Sequence, residues 1–204
     1  WIHSRDEAPN YKLRDCMQDY EDRGDFNVYT NCHISEIREN GSDIEHFQYI
    51  HTSFSKLLNC VKLKTIVKPK LADSPDLYEN LRCKDEDINK WRESILKKYI
   101  NEDNKKIVNA FALQAFIVIF GKEFYLMDIT VLHFGPSVSY VFFKTKNIFY
   151  CSSVQSTVPL QKFKQKISAK FFFPKWLPYL FGVIIMKSQF SQFLNDLPIW
   201  NNKI

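Results

Sequence analysis

IVNAFALQAFIVIFGKEFYLMDITVLHFGPSVSYVFFKTKNIFYCSSVQ, residues 107–155, decides the fold. Val, Ile, Phe and Tyr crowd into four runs, Ile107 to Phe120, Glu123 to Phe134, Ser137 to Lys144 and Asn147 to Gln155. Such side chains suit a pleated, half-buried surface, so each run is predicted to be a strand. Gly121-Lys122, Gly135-Pro136 and Thr145 to Asn147 separate them, and connections this short join antiparallel neighbours. Toward the C-terminus, Trp176 to Trp200 has a helical period through Leu180, Ile184, Phe190, Phe193 and Leu197, with Asp196 near its end. Toward the N-terminus, Asp85 to Ile100 gives a shorter amphipathic helix through Ile88, Trp91, Ile95 and Tyr99, read as a surface element, and Ser74-Pro75 suits a helix start. Residues 1–30, interrupted by Pro9 and Gly24, show no sustained period and are read as an irregular connector leading into a domain over 31–204. The expected fold class is α+β: a curved antiparallel sheet, helix-grip-like, closed by a long C-terminal helix around a deep apolar cavity.

The composition fits one such domain. Of the 204 residues 45% are hydrophobic, with eighteen Phe against five Gly, so a large aromatic interior is expected and the composition argues against disorder. The net charge of +5 is spread among acids rather than gathered into a basic block, which argues against a nucleic-acid partner. Five cysteines, without a Cys-x2-Cys pair, fit neither a zinc ribbon nor a disulfide framework and point to a reducing compartment. The longest apolar run, Phe171 to Met186, contains Pro174, Lys175 and Pro178 and falls short of the roughly 20 residues that span a bilayer. It is read as core or interface. The chain opens on Trp1 rather than Met and is read as a mature piece or a fragment.

The chemistry concentrates in ENGSDIEHFQYIH, residues 39–51. Asp43, His46 and His51 stand at Asp-x2-His-x4-His spacing, which can hold a metal, and two neutral imidazoles with one carboxylate supplied from elsewhere can hold ferrous iron with coordination positions left open. Gly41 and Ser42 offer a flexible start and a capping group for a helix through Ile44, Phe47 and Ile50. On a regular helix His51 is turned about 140° from His46, so both reach one metal only where the helix ends or loosens. On spacing alone, ordinary histidines and metal ligands both remain open. His3, His33 and His133 are read as structural or exposed, and Asp196 as an acid near a helix end.

Asn40-x2-Asp43-x2-His46-x4-His51 resembles the iron-binding segment of Rieske-type oxygenase catalytic domains. Three further stretches resemble the cholesterol 7-desaturase, or Neverland-type, family: Ile107 to Phe120 with its Gly turn, Val154 to Leu160, and Gln192 to Lys203. Trp1 through Pro9 is similar to the segment that follows that family's Rieske domain. The resemblance implies that His46, His51 and Asp196 bind a mononuclear Fe(II). It also implies that Asp43 bridges this site to a Rieske cluster as an electron relay and that Asn40 supports it. The implied reaction takes electrons from NAD(P)H through a reductase and a [2Fe–2S] Rieske cluster, uses O2, and converts cholesterol to 7-dehydrocholesterol in steroid hormone biosynthesis. A sterol would suit an aromatic sheet lining such as Phe111, Phe116, Phe124, Tyr140, Phe142 and Phe149. A homotrimer, a membrane anchor upstream of Trp1, and an endoplasmic-reticulum location with the catalytic domain facing the cytosol are likewise implied.

The sequence departs from the family pattern in two places. Cys32 and His33 are adjacent and no second Cys/His pair follows, so the two-iron cluster is expected in an upstream domain rather than here. Leu194 and Asn195 stand where the family usually has charged residues, and Pro198 follows closely. The alternatives to an enzyme are a non-catalytic lipid- or sterol-binding domain and a redox-dead fragment, because fold alone does not give function.

Overall fold

The computed structural model describes residues 20–42, 61–66, 81–100, 108–135, 137–145 and 149–202. Within them, seven strands form one curved, open sheet in which every pairing is antiparallel. The strands are β1 (Tyr20–Thr30), β2 (Val61–Ile66), β3 (Val108–Ile119), β4 (Lys122–Phe134), β5 (Val138–Lys144), β6 (Tyr150–Gln161) and β7 (Lys164–Pro174), in the spatial order β1-β7-β6-β5-β4-β3-β2. Three helices are described: α1 (Ile34–Ser42), α2 (Glu86–Tyr99) and α3 (Tyr179–Asn201). The expected α+β sheet with a long C-terminal helix is what the chain forms.

Period-2 alternation makes the sheet two-faced. On one face Ala110, Ala112, Leu132, Phe134, Tyr140 and Phe142 pack with Leu81 and with Ile95, Leu96 and Tyr99 of α2. On the other, Phe111, Leu113, Val131, Val141, Phe143 and Phe171 form a second core, which Ile185 and Met186 of α3 join. The aromatic lining expected from sequence is therefore divided: Phe111 and Phe149 join the α3 side, Tyr140 and Phe142 the α2 side, and Phe124 is half exposed. The cause is register, since residues one apart on a strand face opposite ways. α2 is a half-buried layer rather than a surface element, and its start is capped by Asp85, whose carboxylate accepts from the Asp87 and Ile88 amides.

The irregular reading of residues 20–30 is corrected: β1 pairs with β7 along its length, interrupted only by a bulge at Asp22/Gly24. Its charges misled the reading because β1 is an edge strand, with Phe26, Val28 and Thr30 turned inward and Tyr29 exposed. The single strand read up to Gln155 continues to Gln161 and returns as β7, so the run from Phe171 contributes core strand before it contributes helix. The helix start at Ser74-Pro75 lies outside the described residues.

α3 runs along β1 and β7. A Cβ at Gly182 would stand 3.4 Å from Phe173, and one at Gly24 would stand 3.1 Å from the Met186 sulfur. Farther along, Phe26 meets Phe190 and Phe193 at centroid distances of 5.0 and 5.2 Å, and Trp200 closes a cluster with Val28, Cys32 and Ile167.

Candidate functional site

Asp196 sits in the last two turns of α3 and is 8% exposed. Phe193 and Trp200, at i−3 and i+4, share its side of the helix. Their rings are 6.2 Å apart, and both join the apolar cluster under the helix. Leu194, by contrast, is exposed. Pro198 lies inside α3, yet the helix continues to Asn201, and Asn202 donates from Nδ2 to the Pro198 carbonyl at 2.7 Å.

The end of α3 is tied to the point where β1 passes into α1. Thr30 Oγ1 and the Asn31 amide both donate to Asn201 Oδ1, at 2.9 and 2.8 Å. Gln165 Nε2, from β7, donates to the Cys32 carbonyl at 3.0 Å. Ile37 of α1 packs against the same cluster as Phe193 and Leu197. The root of the 39–51 segment and the helix bearing Asp196 are thus one packed unit.

Of the residues singled out by sequence, Asn40 falls within α1, and Asp196 is buried on α3. Asp43, His46 and His51 lie outside the described residues. Among the described residues no group of three His, Cys, Asp or Glu side chains converges on a metal position. The one described member of the implied iron set fits the role: it is an oxygen donor, shielded from water, on a helix held at its end. Cys32 is buried while His33 is exposed and hydrogen-bonded through Nδ1 to Ser35 Oγ at 2.8 Å, so the adjacent pair points to different surroundings.

A second polar centre lies on the opposite face of the sheet. Arg92 of α2, 4% exposed, pairs with Asp128 of β4, fully buried, at 2.8 Å. Arg92 also donates to the Leu81 carbonyl at 2.6 Å and to Thr130 Oγ1 at 3.3 Å, while Gln114 Nε2 and the Tyr125 hydroxyl donate to Asp128. Tyr125 and Asp128 share a face only because the β3–β4 register shifts at Ala115/Phe116, leaving Leu126 as an extra residue. Burial, with the Asp128 carboxylate beside it, pushes the Tyr125 hydroxyl far above its ordinary 10.0. A cleft of about 270 Å³ beside α2 is lined by Arg82, Glu86, Asn89, Arg92 and Glu93 among others. That charged lining is the wrong chemistry for an apolar ligand. Sequence reasoning found neither this centre nor the pairing of His133 with Ser139 described below.

The comparisons with known proteins agree with this architecture. All of residues 1–204 match the 3-ketosteroid 9alpha-hydroxylase C-terminal domain family. The chain is similar to a cholesterol 7-desaturase from Xenopus laevis, 28% identical over 100% of this chain and 42% of the relative. It is equally similar, at 28% identity, to one from Drosophila melanogaster, over 100% of this chain and 44% of the relative. The chain therefore spans less than half the length of these curated relatives. Among solved structures, dicamba monooxygenase shares the fold, with a TM-score of 0.50 at 7% identity over 90% of this chain and 49% of that one. On the match along its whole length, the chain belongs to the 3-ketosteroid 9alpha-hydroxylase C-terminal domain family, whose members are catalytic domains of Rieske-type oxygenases.

Proposed function

We propose that this chain is the iron-bearing, sterol-holding part of a cholesterol 7-desaturase, which forms the 7,8 double bond of 7-dehydrocholesterol. The observation that supports the reading is the tie between Asn201 and Thr30–Asn31, which fixes the end of the helix bearing buried Asp196 to the chain just ahead of α1, the helix that precedes Asp43, His46 and His51 in sequence. Ferrous iron, held by His46, His51 and Asp196, would supply the open positions at which O2 is activated. Asp196 contributes a shielded anionic oxygen, and Phe193 and Trp200 keep water from it. Asn40 supports the site and Asp43 links it to the electron donor. The sheet contributes an apolar wall, and fixing a rigid sterol against it orients one carbon toward the site.

Electrons would come from NAD(P)H through a reductase and a Rieske cluster in an upstream domain, joined to this one by the residues that precede β1 in sequence. The reading includes a homotrimer and the cytosolic face of the endoplasmic reticulum, with an anchor outside this chain. Among the described residues no helix is long and apolar enough to cross a membrane. The apolar substrate supports membrane association, as does the exposure of Trp176, Tyr179, Leu180 and Phe181 at the start of α3. The test is to reconstitute the chain anaerobically with ferrous salt, offer it cholesterol, and measure both after gel filtration. One iron and one sterol per chain are expected. Sterol retained without iron would make the chain a carrier rather than an oxygenase domain.

A further inference from the structure

On the α3 face, the strand registers arrange side chains in rows across the sheet. One row is polar: Asn109, His133, Ser139 and Gln155, on β3, β4, β5 and β6, are successive cross-strand partners. The neighbouring row is apolar through Phe111, Val131, Val141 and Phe171, except for Ser153 between the last two. Ser153 is fully buried, and its hydroxyl has no hydrogen-bond partner among the described residues. A buried polar group left unpaired costs free energy that a ligand can recover. Beside it, His133 Nδ1 and Ser139 Oγ are 2.6 Å apart, and the Phe111 ring lies 5.5 Å from the imidazole. Whichever of the two donates, Ser139 keeps hydrogen-bonding capacity for a third group.

We infer that Ser139, oriented by His133, and Ser153 bind the hydroxyl end of an elongated apolar substrate. The inference rests on the sterol reading above and adds to it which end of the ligand goes where. Ser139 and Ser153 are diagonal neighbours across β5 and β6, positions about 7–8 Å apart in such a pair with the Cβ atoms somewhat closer, so one hydroxyl between them reaches both. The row holds no charged Lys, Arg, Asp or Glu, so it suits a neutral hydroxyl rather than a carboxylate or phosphate. The same row continues through Ala169 to Phe26, which touches Phe190 and Phe193, one turn from Asp196. With strands about 4.8 Å apart, Ser139 lies about 10 Å across the sheet from Ala169. A hydroxyl held there presents the nearby rings toward Asp196 and sends the tail along the apolar rows.

The test is equilibrium binding of radiolabelled cholesterol and of 5-cholestene, the same skeleton without the hydroxyl, to the full chain. Wild type is expected to bind cholesterol about tenfold more tightly, the scale of one or two good hydrogen bonds. Ser139→Ala and Ser153→Ala are expected to bring the two ligands to parity. Ser153→Ala removes an unpaired hydroxyl, so its melting temperature stays equal or rises, a combination that a merely structural serine would not show. Equal binding of both ligands by wild type, or variants that keep the preference, would overturn the inference and leave the sterol reading standing. Failure of wild type to hold either ligand would overturn both.

Discussion

Arg92 and Asp128 show what a charged pair becomes when the fold removes it from water. Each is close to fully buried, and every partner of the network comes from a different position on α2, β3, β4 or the turn before α2. Replacing only one member strands the other charge, so Arg92→Leu is expected to cost about 3–5 kcal/mol, while Arg92→Leu with Asp128→Leu recovers much of that loss. Urea unfolding of the two variants checks it. Tyr125 gives a pH signature of the same network. Its hydroxyl pKa is raised in the folded state, so the folded chain keeps a proton that the unfolded chain releases above the ordinary 10.0. The stabilisation from this group is therefore complete below pH 10 and declines above it, and Tyr125→Phe should flatten that decline in unfolding curves taken between about pH 9 and 11. None of this was legible in the sequence, because Arg92 and Asp128 are 36 residues apart and each looks like a solvated surface charge. The role proposed for Asp196 rests on family resemblance, since no local pattern distinguishes it from any acid near a helix end.

At the scale of elements, legibility followed how strongly each strand announced its buried face. β3, β4 and β5 were readable because Val, Ile and Phe fill them and Gly121 and Gly135, at φ 78° and 61°, mark their turns. β7 alternates as cleanly, but its buried positions include Gln165 and Ala169, which carry no hydrophobic signal. β2, Val61–Ile66, alternates apolar and polar side chains only as far as Lys64, too short a period to announce a strand. β1 was hidden by the acids and amides of an edge strand. Besides the ring contacts of Phe26, β1 is joined to the end of α3 through the Asn201 side chain. Asn201→Ala removes an acceptor shared by Thr30 and the Asn31 amide, and about 1–3 kcal/mol of stability should go with it. Iron affinity should fall as well if the tie positions Asp196, which thermal melting and metal titration of the same variant would separate.

At the scale of the whole molecule, one curved sheet buries a core on each of its faces. The α2 side is sealed by a buried ion-pair network and lends rigidity. The α3 side carries an apolar wall crossed by a polar row, and α3 itself bears a buried carboxylate. That division could not be foreseen from composition, because the aromatic residues are shared between the faces in a register that only pairing reveals. The sheet and α3 hold Asp196 in place, and α1 precedes the other proposed ligands in sequence. Iron ligation by Asp196 is decided by the iron content of Asp196→Ala beside wild type after anaerobic reconstitution with ferrous salt. About one iron per wild-type chain is expected, with background iron in a variant that still melts cooperatively; a folded Asp196→Ala chain that keeps the full complement of iron would rule the ligand role out.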